Sequence, residues 1–146
     1  MNRETLDAVD IHIADTKSQA ASLEKLIQAM TRVEDKTKER VKKLDPKKKE
    51  EAIPYTLFDM EAQIINSQMV SLGIARVMLS EFIQIWEQHR ALSEYVESLS
   101  KAGTDQAKIK EALGKLKEVE EALRKREKGL DWVDNLINHT PSTTVG

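Results

Sequence analysis

The sequence predicts an all-α fold: an elongated up-down-up antiparallel three-helix bundle with coiled-coil-like heptad packing. Three observations carry that expectation. Apolar residues recur at steps of three and four over long stretches, the signature of one helix face packed along a seam. Only 5 Gly and 3 Pro interrupt 146 residues, and they fall mostly at stretch boundaries. Charged residues make up 33% of the chain and aromatics 4%, a balance typical of long helices and coiled coils.

At this length a single helical-bundle domain over residues 1–146 is expected, with helices at about 4–43, 55–100 and 105–138 and a flexible tail at 140–146. The first helix follows from Leu6, Val9, Ile13, Thr16, Ala20, Leu23, Ile27 and Met30, with Val41 and Leu44 continuing the track. The track weakens at Glu34 and Thr37. Asp45-Pro46 ends it, because proline cannot continue the ladder and disfavours helical geometry in the residue before it. Asp45 also suits the start of a short turn with Pro46 at its first position. Pro54 is expected to break that turn, and Thr56-Leu57-Phe58-Asp59 resembles a capping box that opens the second helix.

The second helix, from Leu57 to Leu99, is the unusual one. Met69, Val70, Leu72, Ile74, Val77, Met78, Leu79, Phe82, Ile83, Ile85 and Trp86 put apolar side chains on nearly every side. A helix that is apolar all round has to be surrounded. Lys101-Ala102-Gly103-Thr104-Asp105 then punctuates the chain. Gly103 suits the left-handed position after a helix end, Thr104 the next N-cap, and Asp105 the following first turn. The third helix repeats the spacing at Ile109, Ala112, Leu116, Val119, Leu123, Leu130, Val133 and Ile137, with Arg126 interrupting it.

If the first turn pairs residues near 43 and 57, positions whose numbers sum to about 100 lie level. Arg76 then falls beside Glu24 as an ion pair, and Glu34 and Thr37 fall level with Asn66 and Gln63. That second grouping reads equally as a polar layer that sets register or as two solvated faces.

Composition excludes several chemistries. There is no Cys, so disulfides, thiolate metal sites and Cys nucleophiles are absent. The net charge of −2 argues for no particular polyelectrolyte partner. The N-terminus lacks a basic stretch followed by an apolar run, and Asn66, Gln68, Arg76, Glu81 and Gln84 break the central apolar stretch short of a membrane span. A cytoplasmic protein is therefore expected.

His12 and His89 fall near one end of the layout, with Asp10, Asp15 and Glu94 in the neighbourhood. No ligand repeats at i, i+3 or i, i+4, so a hydrated or singly bonded pair is expected in place of a metal site. Trp86 stands three residues before His89 and Leu136 three before His139, so the Glu-x-x-His pairs of diiron bundles are missing. No phosphate-cradling loop, His-Glu-x-x-His or Gly-x-Ser-x-Gly occurs. No catalytic, cofactor or metal residue is assigned, and no enzyme activity or small-molecule substrate is expected.

The expected role is that of a non-enzymatic helical assembly subunit, which self-associates or docks into a larger protein complex through the second helix. Val70, Ile74, Val77, Ile83 and Trp86 are the expected partner-binding residues, with Ile11 a further apolar side chain beside the first track. The alternative is a binding module whose basic turn meets nucleic acid or an anionic membrane surface. Lys42, Lys43, Lys47, Lys48 and Lys49 would make those contacts, although Glu39, Asp45, Glu50 and Glu51 dilute the patch. A small helical chaperone shielding an amphipathic client is a third reading of the same apolar surface.

Overall fold

The computed structural model describes residues 3–103 and 105–139, with side chains from 6 to 138. Thr104 and the tail 140–146 lie outside the described residues. The chain is all-helical: α1 spans Arg3–Lys42, α2 Lys49–Lys101 and α3 Gln106–His139. Among the described residues there is no strand, and the helix contacts fit a bundle.

The residues pack as two compact units. One comprises 3–21, 77–103 and 105–134; the other comprises 22–76 with 135–139. In the first unit the core takes Leu6, Val9 and Ile13 from α1, Leu79, Phe82 and Val96 from α2, and Ala112, Leu116, Leu123 and Val133 from α3. In the second it takes Leu23, Leu26 and Met30 from α1 and Ala62, Ile65, Leu72 and Ala75 from α2. Leu23, Leu72, Leu79 and Val133 are fully enclosed, each stabilising its unit by roughly 1.5–3 kcal/mol through lost apolar surface. Leu26 takes the buried place expected for Ile27, which is only half-buried. Arg126, the break in the third track, is exposed and reaches Glu81 at 3.8 Å.

The second helix starts earlier than the sequence suggests. It begins at Lys49 and runs through Pro54. Proline lacks the amide that would bond the Glu50 carbonyl, so one rung is missing. Glu50 is exposed in the first turn, so the freed carbonyl belongs to a solvent-exposed residue. The turn before it holds the start in place. Asp45 Oδ1 accepts the Lys47 amide at 2.9 Å, and the Lys48 carbonyl accepts the amides of Glu51 and Ala52 at 3.1 and 3.0 Å. Glu51 Oε2 accepts the Asp45 amide at 3.3 Å. Glu50 and Glu51 also complement the positive end of the helix dipole. Thr56 is therefore no cap: it lies inside α2 and its hydroxyl donates to the Ala52 carbonyl at 2.9 Å.

At the other connection Gly103 adopts φ 62°, the left-handed conformation expected after a helix end. Asp105 caps α3, its Oδ1 accepting the Ala107 amide at 3.0 Å. Gly129 has a separate reason to be glycine: a Cβ there would run into Cε of Met78.

The weak stretch of the first track is buried on one side only. Glu34 and Thr37 are buried, whereas Gln63 and Asn66 are exposed. Thr37 donates to the Val33 carbonyl at 2.9 Å. Glu34 Oε1 takes Lys38 Nζ at 3.2 Å, but its buried Oε2 has no partner within the protein. An unpartnered buried carboxylate oxygen costs more than the ion pair returns. Glu34→Met is expected to raise unfolding stability by about 1 kcal/mol or more. Gly103→Ala is expected to cost about 1 kcal/mol or more. Gly114→Ala, where a Cβ meets nothing within 4 Å, gains up to about 1 kcal/mol. Urea titrations of the three variants check these signs.

Candidate interaction surface

The second helix has two apolar sides. Ala62, Ile65, Leu72 and Ala75 turn into the core. Ile53, Leu57, Met60, Ile64, Val70 and Ile74 do not: each is 52–72% exposed. The steps of four, three and four from Ile53 to Ile64 keep those residues on one stripe, and Ile74 continues it three turns further along. Ser67 and Ser71 occupy the stripe between them. No charged side chain lies between Glu61 and Arg76. All of these residues belong to the unit in which α3 contributes only 135–139 among the described residues.

The residues expected to bind a partner divide. Val70, Ile74 and Val77 are over half exposed. Ile83 and Trp86 are half-buried. Trp86 is occupied inside its own unit: His12 stacks on its ring at 4.6 Å and 7°, and Phe82 meets it edge-on at 6.1 Å. Its Nε1 is buried with no hydrogen-bond partner within the protein. Trp86 is therefore a packing residue of the first unit and not an open anchor. Ile11 is 60% exposed and belongs to the first unit.

Ile53, Leu57, Met60 and Ile64, which are not among the five residues expected to bind a partner, complete the surface. Their spacing was the available signal. Reading Pro54 as a helix break put Ile53 outside the helix and hid it.

His12 and His89 do come together, through Trp86 and not through a shared ligand. The His89 ring lies 5.5 Å from the Trp86 ring. His89 Nε2 faces Glu120 Oε1 at 3.3 Å, and His89 Nδ1 faces Ser93 Oγ at 3.3 Å. Serine, histidine and carboxylate in series suggest a nucleophilic triad. This one cannot present its hydroxyl. Ser93 is fully buried and donates its proton to the His89 carbonyl at 2.7 Å. Asp10 and Glu94 are engaged elsewhere, both gripping Arg90. The hydrogen bond that the Arg90 guanidinium donates to Asp10, then that to Glu94, holds it above its ordinary pKa. Among the described residues no three His, Asp or Glu side chains gather as a metal site.

Lys42, Lys43, Lys47, Lys48 and Lys49 are all exposed around the turn between α1 and α2. The acidic residues there serve the turn itself, Asp45 and Glu51 accepting backbone amides. Arg40 lies 5.7 Å over the Phe58 ring. By length and composition alone α2 also passes as a candidate membrane span, a test that the core helix of a soluble protein passes as well.

No protein-family model matches the chain, and neither a curated protein nor a solved structure is similar to it.

The packing role of Trp86 separates two substitutions. Trp86→Phe removes the unpartnered N–H and keeps a smaller aromatic ring in its place, so the relief of the buried N–H offsets the lost volume and stability should change by less than about 1 kcal/mol. Trp86→Ala should cost about 3 kcal/mol through the cavity it leaves. Thermal unfolding followed by circular dichroism measures both.

Proposed function

We propose that this protein is a non-enzymatic helical interaction subunit that docks through the exposed apolar stripe of α2. The reading includes an up-down-up order with heptad-spaced seams. Supporting it, Asp10 meets Arg90 while Lys17 meets Glu87 at 3.4 Å, so rising numbers on α1 pair with falling numbers on α2. Glu24 meets Arg76 at 3.4 Å in the second unit, the pairing expected from the level rule. His89 with Glu120 and Glu81 with Arg126 run in the opposite sense again between α2 and α3.

One observation carries the functional reading: five large apolar side chains, Ile53, Leu57, Met60, Ile64 and Ile74, each more than half exposed, line one face of a helix whose other face is core, with Val70 one turn before Ile74. Scattered apolar residues on a surface need no explanation, but a contiguous uncharged stripe does. Leaving it in water forfeits the main driving force of association. A docked helix or sheet face recovers it. The chain's part in this is to hold the stripe rigid; it contributes no chemistry of its own. A cytoplasmic setting is part of the same proposal.

The double variant Ile64→Arg, Ile74→Arg tests it. Both side chains lie outside the core, so helicity should be unchanged and stability should shift by less than about 1 kcal/mol. In extracts of the native cell the unsubstituted chain should elute as part of a larger species and the double variant as a monomer. Equal elution of the two forms overturns the proposal.

A further inference from the structure

We propose that the occupant of the α2 stripe is a second copy of this chain, laid antiparallel about a twofold axis between Ile64 and Ser67. The inference rests on the reading of the stripe as a docking face and names its partner.

The stripe is complementary to itself. Leu57, Met60, Ile64, Ser67, Ser71 and Ile74 are separated by steps of three, four, three, four and three, which read the same in both directions. Reversing the helix about its middle therefore lays the pattern on itself. Ile64 of one copy then stands over Ser67 of the other, Met60 over Ser71, and Leu57 against Ile74. Large side chains meet small ones at the two central levels, the condition for close interdigitated helix packing. A parallel pair sets each residue against its own copy. Two successive serine layers then leave a poorly filled polar gap in the middle of the seam. Antiparallel alignment also opposes the two helix dipoles.

Charge permits the approach. Identical surfaces repel when they carry net charge, and this stripe has none between Glu61 and Arg76. Area fits a weak, reversible pair. At roughly 100 Å² for each of Leu57, Met60, Ile64 and Ile74, sealing both copies removes on the order of 800 Å² from water, below the range of tight, specific interfaces. Association in the micromolar range is expected.

A bilayer is the competing cover, and the other side of α2 argues against it. There Leu72 and Ala75 are fully buried, and Arg76 pairs with Glu24 of α1. The α1 segment of this unit carries Lys25, Arg32, Asp35, Lys36 and Lys38. Lipid surrounding α2 would have to accept those charges as well.

Because the chain has no cysteine, single-cysteine variants report geometry without background. Sedimentation velocity of the full chain over a concentration series should show a monomer–dimer equilibrium. Ile64→Arg should weaken it roughly a hundredfold or more, since the change enters twice, while Ile11→Arg should leave it intact. A short bismaleimide should join Ser67→Cys into a covalent dimer and leave Ile53→Cys monomeric, since two copies of residue 53 lie at opposite ends of an antiparallel seam. Cross-linking of both variants overturns the antiparallel arrangement. A strict monomer overturns the second copy as partner. In that event a fluorescent apolar dye and anionic phosphatidylserine vesicles decide what remains. Dye binding lost on Ile64→Arg, Ile74→Arg keeps the docking face and requires another protein; vesicle binding makes lipid the cover; neither removes the docking face itself.

Discussion

Everything distinctive about this protein follows from the need of α2 to satisfy two apolar sides at once. Between residues 62 and 75 no charge marks which side belongs to water. The α1 segment from 22 to 42 covers one side and draws Ile65, Leu72 and Ala75 into the core. The hydrophobic effect has no direction, so nothing in Ile64 or Ile74 distinguishes them chemically from Ile65. What differs is whether a neighbour is present. The first unit draws on all three helices, whereas among the described residues the second receives only 135–139 from α3.

The buried hydroxyls inside the units do little to choose partners between helices. Thr16, Thr37 and Ser93 are buried, and each hydroxyl donates to the carbonyl four residues earlier on its own helix, at 2.7–2.9 Å. Such bonds satisfy the hydroxyl without reaching across a seam. The same economy disarms the Ser93–His89–Glu120 series as chemistry. Pairing between helices falls instead to the ion pairs at the edges, Glu24 with Arg76, Asp10 with Arg90 and Glu81 with Arg126. These are solvent-exposed and individually weak, so they tune alignment more than they hold the helices together. Stability rests on apolar burial, and alignment on its shape.

Among the described residues, two buried polar atoms lack a partner within the protein, Glu34 Oε2 and Trp86 Nε1. Trp86 fills the space among His12, Phe82 and His89, and the flat stack of His12 shields one of its faces. The indole is held by packing, which is why a residue type favoured at interfaces serves here as filler.

Local rules made much of this legible. The spacing of α1 and α3, the stop at Asp45-Pro46, the left-handed Gly103 and the Arg76–Glu24 pair all depend on residues a few positions apart or on one level rule. The misreadings came where a local rule met a longer-range outcome. Pro54 ends a helix by propensity, yet a single missing rung in an exposed first turn does not outweigh the helix around it. Thr56 has the chemistry of a cap but lies inside that helix. Ile27 and Leu26 are neighbours of near-equal apolarity, and only the packed neighbours choose between them. By itself the sequence determined three helices, the stops at Asp45-Pro46 and Gly103, and the surplus of apolar surface on α2, because periodicity and turn chemistry act over short distances. Only the tertiary structure decided which apolar residues are spare. Trp86 found partners and the stripe from Ile53 to Ile74 did not, because burial depends on what the fold brings alongside, which no spacing along one helix contains.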